Sequence, residues 1–288
     1  MKRFLFVYSA LLLTAGFMFV GCERQQPTSQ STTQSSAQSA AAPYTISTGG
    51  STSVAPLMEL FKAEYERLHD NITITISASG SGDGIRGAPA GTFEIGMSSR
   101  DLTPAEKGTD IQEYVVAIDG IAVIVNNNSP ISGLTRAQIR EIYTGELNRW
   151  EQLGAAAGGK NGPIAVISRE PGSGTRGAFE EIVGFQDRLV HGAIEFDGTG
   201  AVKAEVSRNV DAIGYISLGS VDSTSKAISV DGVPATNANV VNGSYAIARP
   251  FILMTKRSTP LNANTRAFID WMMGPGQSIV ERSWIRVN

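Results

Sequence analysis

The chain has 288 residues, 42% apolar and 18% charged, with a formal charge of −3, which is enough for one large domain or two lobes with cores of their own. No basic excess calls for nucleic acid. Two histidines and a single cysteine argue against a zinc site or a disulfide framework.

The first element is an export signal. In "MKRFLFVYSALLLTAGFMFVGC", Lys2 and Arg3 precede an apolar run from Phe4 to Val20, and Gly21 precedes Cys22. The run is near the lower length limit for a membrane span, so a retained anchor is the alternative. A small residue followed by the chain's one cysteine resembles a bacterial lipobox, although Phe19 stands where leucine is usual. Residues 1–21 are therefore expected to be a lipoprotein signal peptide, with Cys22 lipidated as the mature N-terminus and holding the protein to a membrane by acyl chains. Without Lys2 and Arg3, 22 basic residues face 27 acidic ones, a net −5. Residues 22–43 are rich in Ser, Thr, Gln and Ala and carry no large apolar residue after the cysteine. They read as a disordered tether.

From Tyr44 strand and helix patterns alternate. Residues 44–48 form a strand, and Val54, Leu57, Phe61, Tyr65 and Leu68 then make one helical stripe, with Ser53 available as its cap and Pro56 in its first turn. Residues 71–79 are β-branched and strand-like, and a short helix is expected after Gly84. Strands follow at 94–99 and at 115–126, the second broken by Asp119-Gly120. Thr135 caps a helix carrying Ile139, Ile142 and Tyr143. A strand at 163–168 runs into "REPGSGTR", and "TGAVKAEVSRN" reads as a helix. Strands at 212–219 and 249–256 precede a helix through Phe268, Trp271 and Met272 that stops at Gly274-Pro275. The alternation predicts an α/β protein with mostly parallel sheets, whose ligand sits beyond the carboxyl ends of the strands.

Three loops fall at such strand-to-helix turns: "TGGSTSV" (48–54), "SGSGDGIRG" (79–87) and "REPGSGTR" (169–176). Each joins glycines to hydroxyl side chains. Free N–H groups at helix starts favour an anion, and hydroxyls add donors without charge. Taken singly, each Ser or Thr reads as an ordinary helix cap, so the inference rests on three alike loops in one topological place. Gly82-Asp83-Gly84-Ile85-Arg86-Gly87 also fits a dinucleotide fingerprint, but it does not follow the first strand of the fold. The third loop lacks the G-K-[ST] ending of a P-loop.

In order along the chain, "TGGSTSVAPLMELF", "ISASGSGDGI", "IGMSSRDL", "DGIAVIVN", "ISREPGSGTRGAFEE", "AIGYISLG" and "RPFILMTK" resemble the substrate-binding proteins of bacterial phosphate ABC transporters. The match runs from about Ile46 to the C-terminus. The resemblance implies a type II periplasmic-binding-protein fold, α/β in class, with two lobes joined by two crossing strands. It places lobe one at 44–120 plus 248–288 and lobe two at 121–247, with crossings near Gly120-Ile121 and Ala248-Arg249. Phosphate donors would be Thr52, Ser53 and Ser81 from lobe one, and Arg169, Ser173, Gly174 and Thr175 from lobe two. Family members often carry an aspartate where Ser99 stands here, and that carboxylate accepts the phosphate proton and rejects sulfate. Asp83, Asp101, Asp119 and Glu170 are candidate substitutes. Glu170 could instead orient Arg169, Asp119 could be a turn or hinge residue, and Arg100 could pair with one of these acids.

The expected protein is thus an extracytoplasmic, monomeric phosphate-binding lipoprotein that needs no cofactor and serves an ABC transporter permease in phosphate transport. A sulfate-type oxyanion carrier, an extracellular phosphatase and an adhesin on the same fold are the alternatives. A phosphatase finds little support, because His69 and His191 sit in ordinary polar settings and Ser173 has no base near it in sequence.

Overall fold

Hydrophobic spacing and turn residues set most local structure in the computed structural model, which describes residues 42–287. The expected signal peptide (1–21), Cys22 and the tether up to residue 41 lie outside the described residues. Strand β1 (Tyr44–Gly50) leads to α1 (Ala55–Leu68), and β2 (Ile72–Ala78) leads to α2 (Ser81–Ala90). Next come β3 (Ile95–Ser98), one turn of helix α3 (Pro104–Lys107) and the 15-residue strand β4 (Ile111–Val125). Short β5 (Gly133–Leu134), α4 (Arg136–Thr144) and a helical turn at Trp150–Ala157 lead to β6 (Ala165–Arg169) and α5 (Gly174–Val183). Then follow β7 (Ile194–Phe196), α6 (Thr199–Arg208), β8 (Ala212–Ser217), and the small strands β9 (Lys226–Ala227) and β10 (Ser229–Val230). Helix α7 (Asn237–Val241), strand β11 (Ala248–Lys256), α8 (Ala263–Met273) and α9 (Gln277–Val280) complete the chain.

Local chemistry explains where these elements depart from the sequence patterns. Leu57, Phe61 and Tyr65 of α1 are buried as expected, whereas Leu68 at its end is 48% exposed. Ser53 does not cap α1. Ser51 Oγ accepts from the Ser53 and Val54 N–H groups at 3.2 and 3.3 Å, which leaves the Ser53 hydroxyl for another partner. Thr135 does cap α4, in a reciprocal box with Gln138. Helix α2 begins at Ser81, three residues before Gly84, so the G-x-G-x-x-G glycines lie inside a helix. A Cβ on Gly84 would stand 2.5 Å from the Met97 carbonyl and 2.8 Å from that of Gly49, so this glycine lets α2 press on the sheet. The dinucleotide pattern is here a packing device.

Strand β4 is continuous through Asp119-Gly120, contrary to the expected break. Both residues pair with β11, Asp119 opposite Arg249 and Gly120 opposite Ala248, and this pairing holds a turn-prone dipeptide extended. At Ile121, β4 changes partner: Ile121–Val125 pair with β8 (Ile121 opposite Ser217). The whole sheet runs β2-β1-β3-β11-β4-β8-β6-β7, with β9 also on β4. Pairing is parallel in its two flanks, β2-β1-β3 and β8-β6-β7, and antiparallel through the centre, so the sheet is mixed rather than mostly parallel.

The apolar cores divide at the same place. One is built from Ile46, Leu57, Phe61, Ile74, Val116, Phe251 and Phe268, and a smaller one from Ile85, Leu102, Ile111 and Met254. The other two are built from residues between Ile121 and Ile247, around Tyr143, Trp150, Phe179 and Tyr215 on one sheet face and Ile124, Ile167 and Val202 on the other. Among the described residues no buried cluster combines fully buried side chains of 121–247 with those outside that range. Among the described residues no helix is long and apolar enough to cross a membrane.

Because Gly84 meets strand backbone, Gly84→Ala is expected to lower stability by about 1–3 kcal/mol, read as a reduced denaturant midpoint with an unchanged slope.

Candidate functional site

The carboxyl ends of β1, β2, β3, β6 and β7 deliver their loops to one polar cluster. In parallel flanks every strand ends on the same edge, and the next helix starts there. Four helix starts therefore supply it: α1 through Thr52-Ser53, α2 through Ser81, α5 through Ser173-Gly174-Thr175, and α6 through Thr199. The side chains of Ser53, Ser81, Ser99, Thr175 and Thr199 are all buried.

Their contacts link the two flanks. Ser53 Oγ shares hydrogen bonds with Thr175 Oγ1 at 2.8 Å and Thr199 Oγ1 at 2.9 Å. Ser99 Oγ lies 3.3 Å from Ser81 Oγ and 3.4 Å from Thr175 Oγ1, while Ser81 Oγ accepts from the Ser99 N–H at 3.1 Å. A Cβ on Gly174 would fall 2.3 Å from Ser81 Oγ, so only glycine lets α5 approach this closely without displacing that hydroxyl. The Gly82 N–H donates to the Gly172 carbonyl at 3.1 Å, joining the second loop to the third through backbone.

Arg169 is the cation of the cluster and only 1% exposed. Its Nη2 donates to Thr52 Oγ1 at 2.9 Å and its Nη1 to Thr199 Oγ1 at 3.3 Å. Nε and Nη2 also donate to the two carboxylate oxygens of Glu170, both at 2.8 Å. Glu170 thus orients the guanidinium through a bidentate pair. A depression of about 340 Å³ lined by Thr52, Ala78, Ser79, Glu170, Asp197 and Gly198 opens against this corner. A larger one of about 430 Å³, lined by Tyr114, Lys256 and Arg266 among others, contains none of the expected phosphate-binding residues.

Of the eight expected site residues, Thr52, Ser53, Ser81, Ser99, Arg169, Gly174 and Thr175 meet in this cluster. Ser173 adjoins it differently, because its hydroxyl accepts from the Arg176 N–H at 3.3 Å and caps α5. Thr199 was missed by sequence reasoning. Its signal was Gly198-Thr199-Gly200, a glycine-hydroxyl turn like the other three, hidden because the preceding strand is only three residues long.

The candidate acids are placed as clearly. Asp83 pairs with Arg86 on the surface, and Asp101 is exposed. Asp119 is buried against Arg249. No side-chain bond of Ser53, Ser81, Ser99, Thr175 or Thr199 goes to a carboxylate among the described residues. Arg100 pairs with none of the four acids considered. Both of its Nη atoms donate to Glu106 at 2.8 Å, and those bonds hold the Glu106 carboxyl down at about 2. Arg176, the second arginine of the third loop, is tied to Glu180, to Glu195 and to the Arg169 carbonyl. His69 stacks on Tyr65, and His191 is exposed.

An aromatic stack fixes the third loop from below. Phe179 of α5 lies on Tyr215 of β8 with centroids 4.1 Å apart. The Tyr215 hydroxyl shares a 2.8 Å bond with Ser168 and accepts from the Arg169 N–H at 3.3 Å. Burial pushes this phenol well above its ordinary range, so it stays protonated.

Residues 28–275 match the PBP superfamily domain, which fits the α/β fold described above. Within that class the chain belongs to the family of phosphate ABC transporter substrate-binding proteins, a family of transport components rather than enzymes. The phosphate-binding protein PstS of Borreliella burgdorferi is 30% identical over 248 residues, covering 82% of this chain and 87% of that protein. A Clostridium perfringens protein assigned as a phosphate ABC transporter substrate-binding protein, solved with bound phosphate, is 43% identical with a TM-score of 0.81, covering 85% of this chain and all of the other. An ABC-type phosphate transport receptor from Vibrio cholerae is 32% identical with a TM-score of 0.69 and covers 84% of this chain and 100% of its own.

Tyr215→Phe removes an acceptor from a buried N–H, and is expected to cost about 1–3 kcal/mol in chemical denaturation.

Proposed function

We propose that this protein binds inorganic phosphate outside the cytoplasm and delivers it to an ABC transporter permease. The observation that carries the reading is the convergence of four helix starts and the buried Arg169 guanidinium on one cluster of hydroxyls. Each helix start contributes about half a positive charge, so the cluster offers a strongly anion-favouring field with few formal charges. Arg169 adds a planar fork suited to phosphate oxygens. The phosphate-binding relatives and the solved neighbour with bound phosphate support the same anion.

In this reading residues 44–120 with 248–288 form lobe one and 121–247 form lobe two. The partner exchange of β4 at Gly120-Ile121 and the division of the apolar cores support those bounds. Thr52, Ser53, Ser81 and Ser99 would grip the anion from lobe one. Arg169, Ser173, Gly174 and Thr175 would grip it from lobe two, with Thr199 beside them. An anion held from both sides stabilises the closed arrangement over any open one. A serine hydroxyl both donates and accepts, so Ser99 and its neighbours can take the proton of phosphate where a carboxylate would otherwise stand. Hydroxyls can also turn to donate to sulfate, so rejection of sulfate would fall to a carboxylate that only accepts, and Glu170 beside Arg169 is the candidate.

Titration calorimetry with both anions tests the assignment: phosphate is expected to bind tightly with little competition from sulfate, and equal affinities would refute phosphate as the ligand. Arg169→Met is expected to weaken phosphate binding by about 100-fold, from the loss of charge-assisted hydrogen bonds. Lipid anchoring through Cys22 predicts incorporation of a labelled fatty acid into the native chain and none into Cys22→Ala; equal labelling would exclude that cysteine as the acceptor.

A further inference from the structure

A second guanidinium is buried where β4 and β11 run side by side. Arg249 stands opposite Asp119 in the register, and its Nη2 donates to Asp119 Oδ2 at 3.0 Å, with the two side chains 2% and 1% exposed. Asp119 is fully served. Its other oxygen accepts from the Ser217 hydroxyl at 2.9 Å and the Gly219 N–H at 3.3 Å. Arg249 is not. Its Nε and Nη1 are buried without a hydrogen-bond partner among the described residues, and its guanidinium lies 5.5 Å from the centroid of the Phe251 ring.

Such an arrangement is a poor way to stabilise a fold. A buried ion pair is often no better than apolar side chains of similar volume, and unmade bonds to a buried cation add further cost. The pair lies one residue from the point where β4 passes from β11 to β8. Strand β8 links the pair to the Arg169 region, because Ser217 donates to Asp119 and Tyr215, two residues earlier on the same face of the strand, accepts from the Arg169 N–H. Burial lowers Arg249 to about 10, so it remains a cation at neutral pH.

We infer that Arg249 and Asp119 are a pair of opposed positioning charges that set the potential at the anion site: Arg249 favours the bound anion through space and Asp119 moderates it. This rests on the phosphate reading above. Neither residue bonds the loops of the cluster, so their effect is long-range and follows charge rather than contact. One unit of buried charge nearby corresponds to a change in affinity on the order of tenfold.

The test is phosphate titration calorimetry on the whole protein and four variants. Arg249→Gln is expected to weaken binding about tenfold, and Arg249→Lys, which keeps the charge, to stay within about threefold of the parent. Asp119→Asn is expected to tighten binding, and the Asp119→Asn/Arg249→Gln double variant to return close to the parent value. If Asp119→Asn does not fold, the contrast between Arg249→Gln and Arg249→Lys decides. Equal losses in Arg249→Gln and Arg249→Lys, or weakening by Asp119→Asn, would reduce the pair to a structural role and overturn the inference. Failure of the parent protein to bind phosphate would instead overturn the phosphate reading, and this inference with it.

Discussion

A guanidinium removed from water costs several kcal/mol unless its N–H groups find acceptors. Arg169 is almost wholly buried, and its acceptors come from three places: Glu170 on its own loop, Thr52 before α1 and Thr199 at the start of α6. Satisfying this one cation therefore requires loops from both flanks of the sheet to meet. The hydroxyl contacts of Ser53, Thr175, Ser81 and Ser99 fill in around that requirement. The fold supplies the meeting place, because each parallel flank ends its strands on one edge. Strand β4 joins the flanks by pairing first with β11 and then with β8.

The same logic separates what grips from what supports. Arg176, Glu180, Tyr215 and Phe179 fix the start of α5 without entering the cluster. Arg100 and Glu106 hold the loop after Ser99 from outside. Gly84 and Gly174 act by absence, since each lets a helix come closer than a Cβ would allow. The cluster is rich in groups that donate and accept with equal ease, and its one cation is already partnered by Glu170. An anion there would be held mainly by hydroxyls and helix ends, in keeping with a protein that captures and releases rather than transforms.

Most of the fold was legible in the sequence because its signals are local. Apolar spacing gave α1, the β-branched run gave β2, and the Thr135 cap before Ile139, Ile142 and Tyr143 gave α4. Three of the four hydroxyl loops stood out by their glycines. What was not legible depends on partners distant in sequence. Asp119-Gly120 reads as a turn until β11 pairs with it. Ser53 reads as a cap until Ser51 takes that role and Thr175 and Thr199 claim its hydroxyl. Thr199 follows a strand too short to show a period. Arg100 looked free to pair with any nearby acid, and Glu106, six residues on, wins with two bonds.

The most direct test of the central claim is a crystal structure of the protein grown with phosphate. The account predicts an anion whose oxygens contact the Arg169 guanidinium together with hydroxyls or N–H groups before α1, α2 and α5, so that both flanks of the sheet touch it. Phosphate bound elsewhere, or held by loops of one flank alone, would contradict the account.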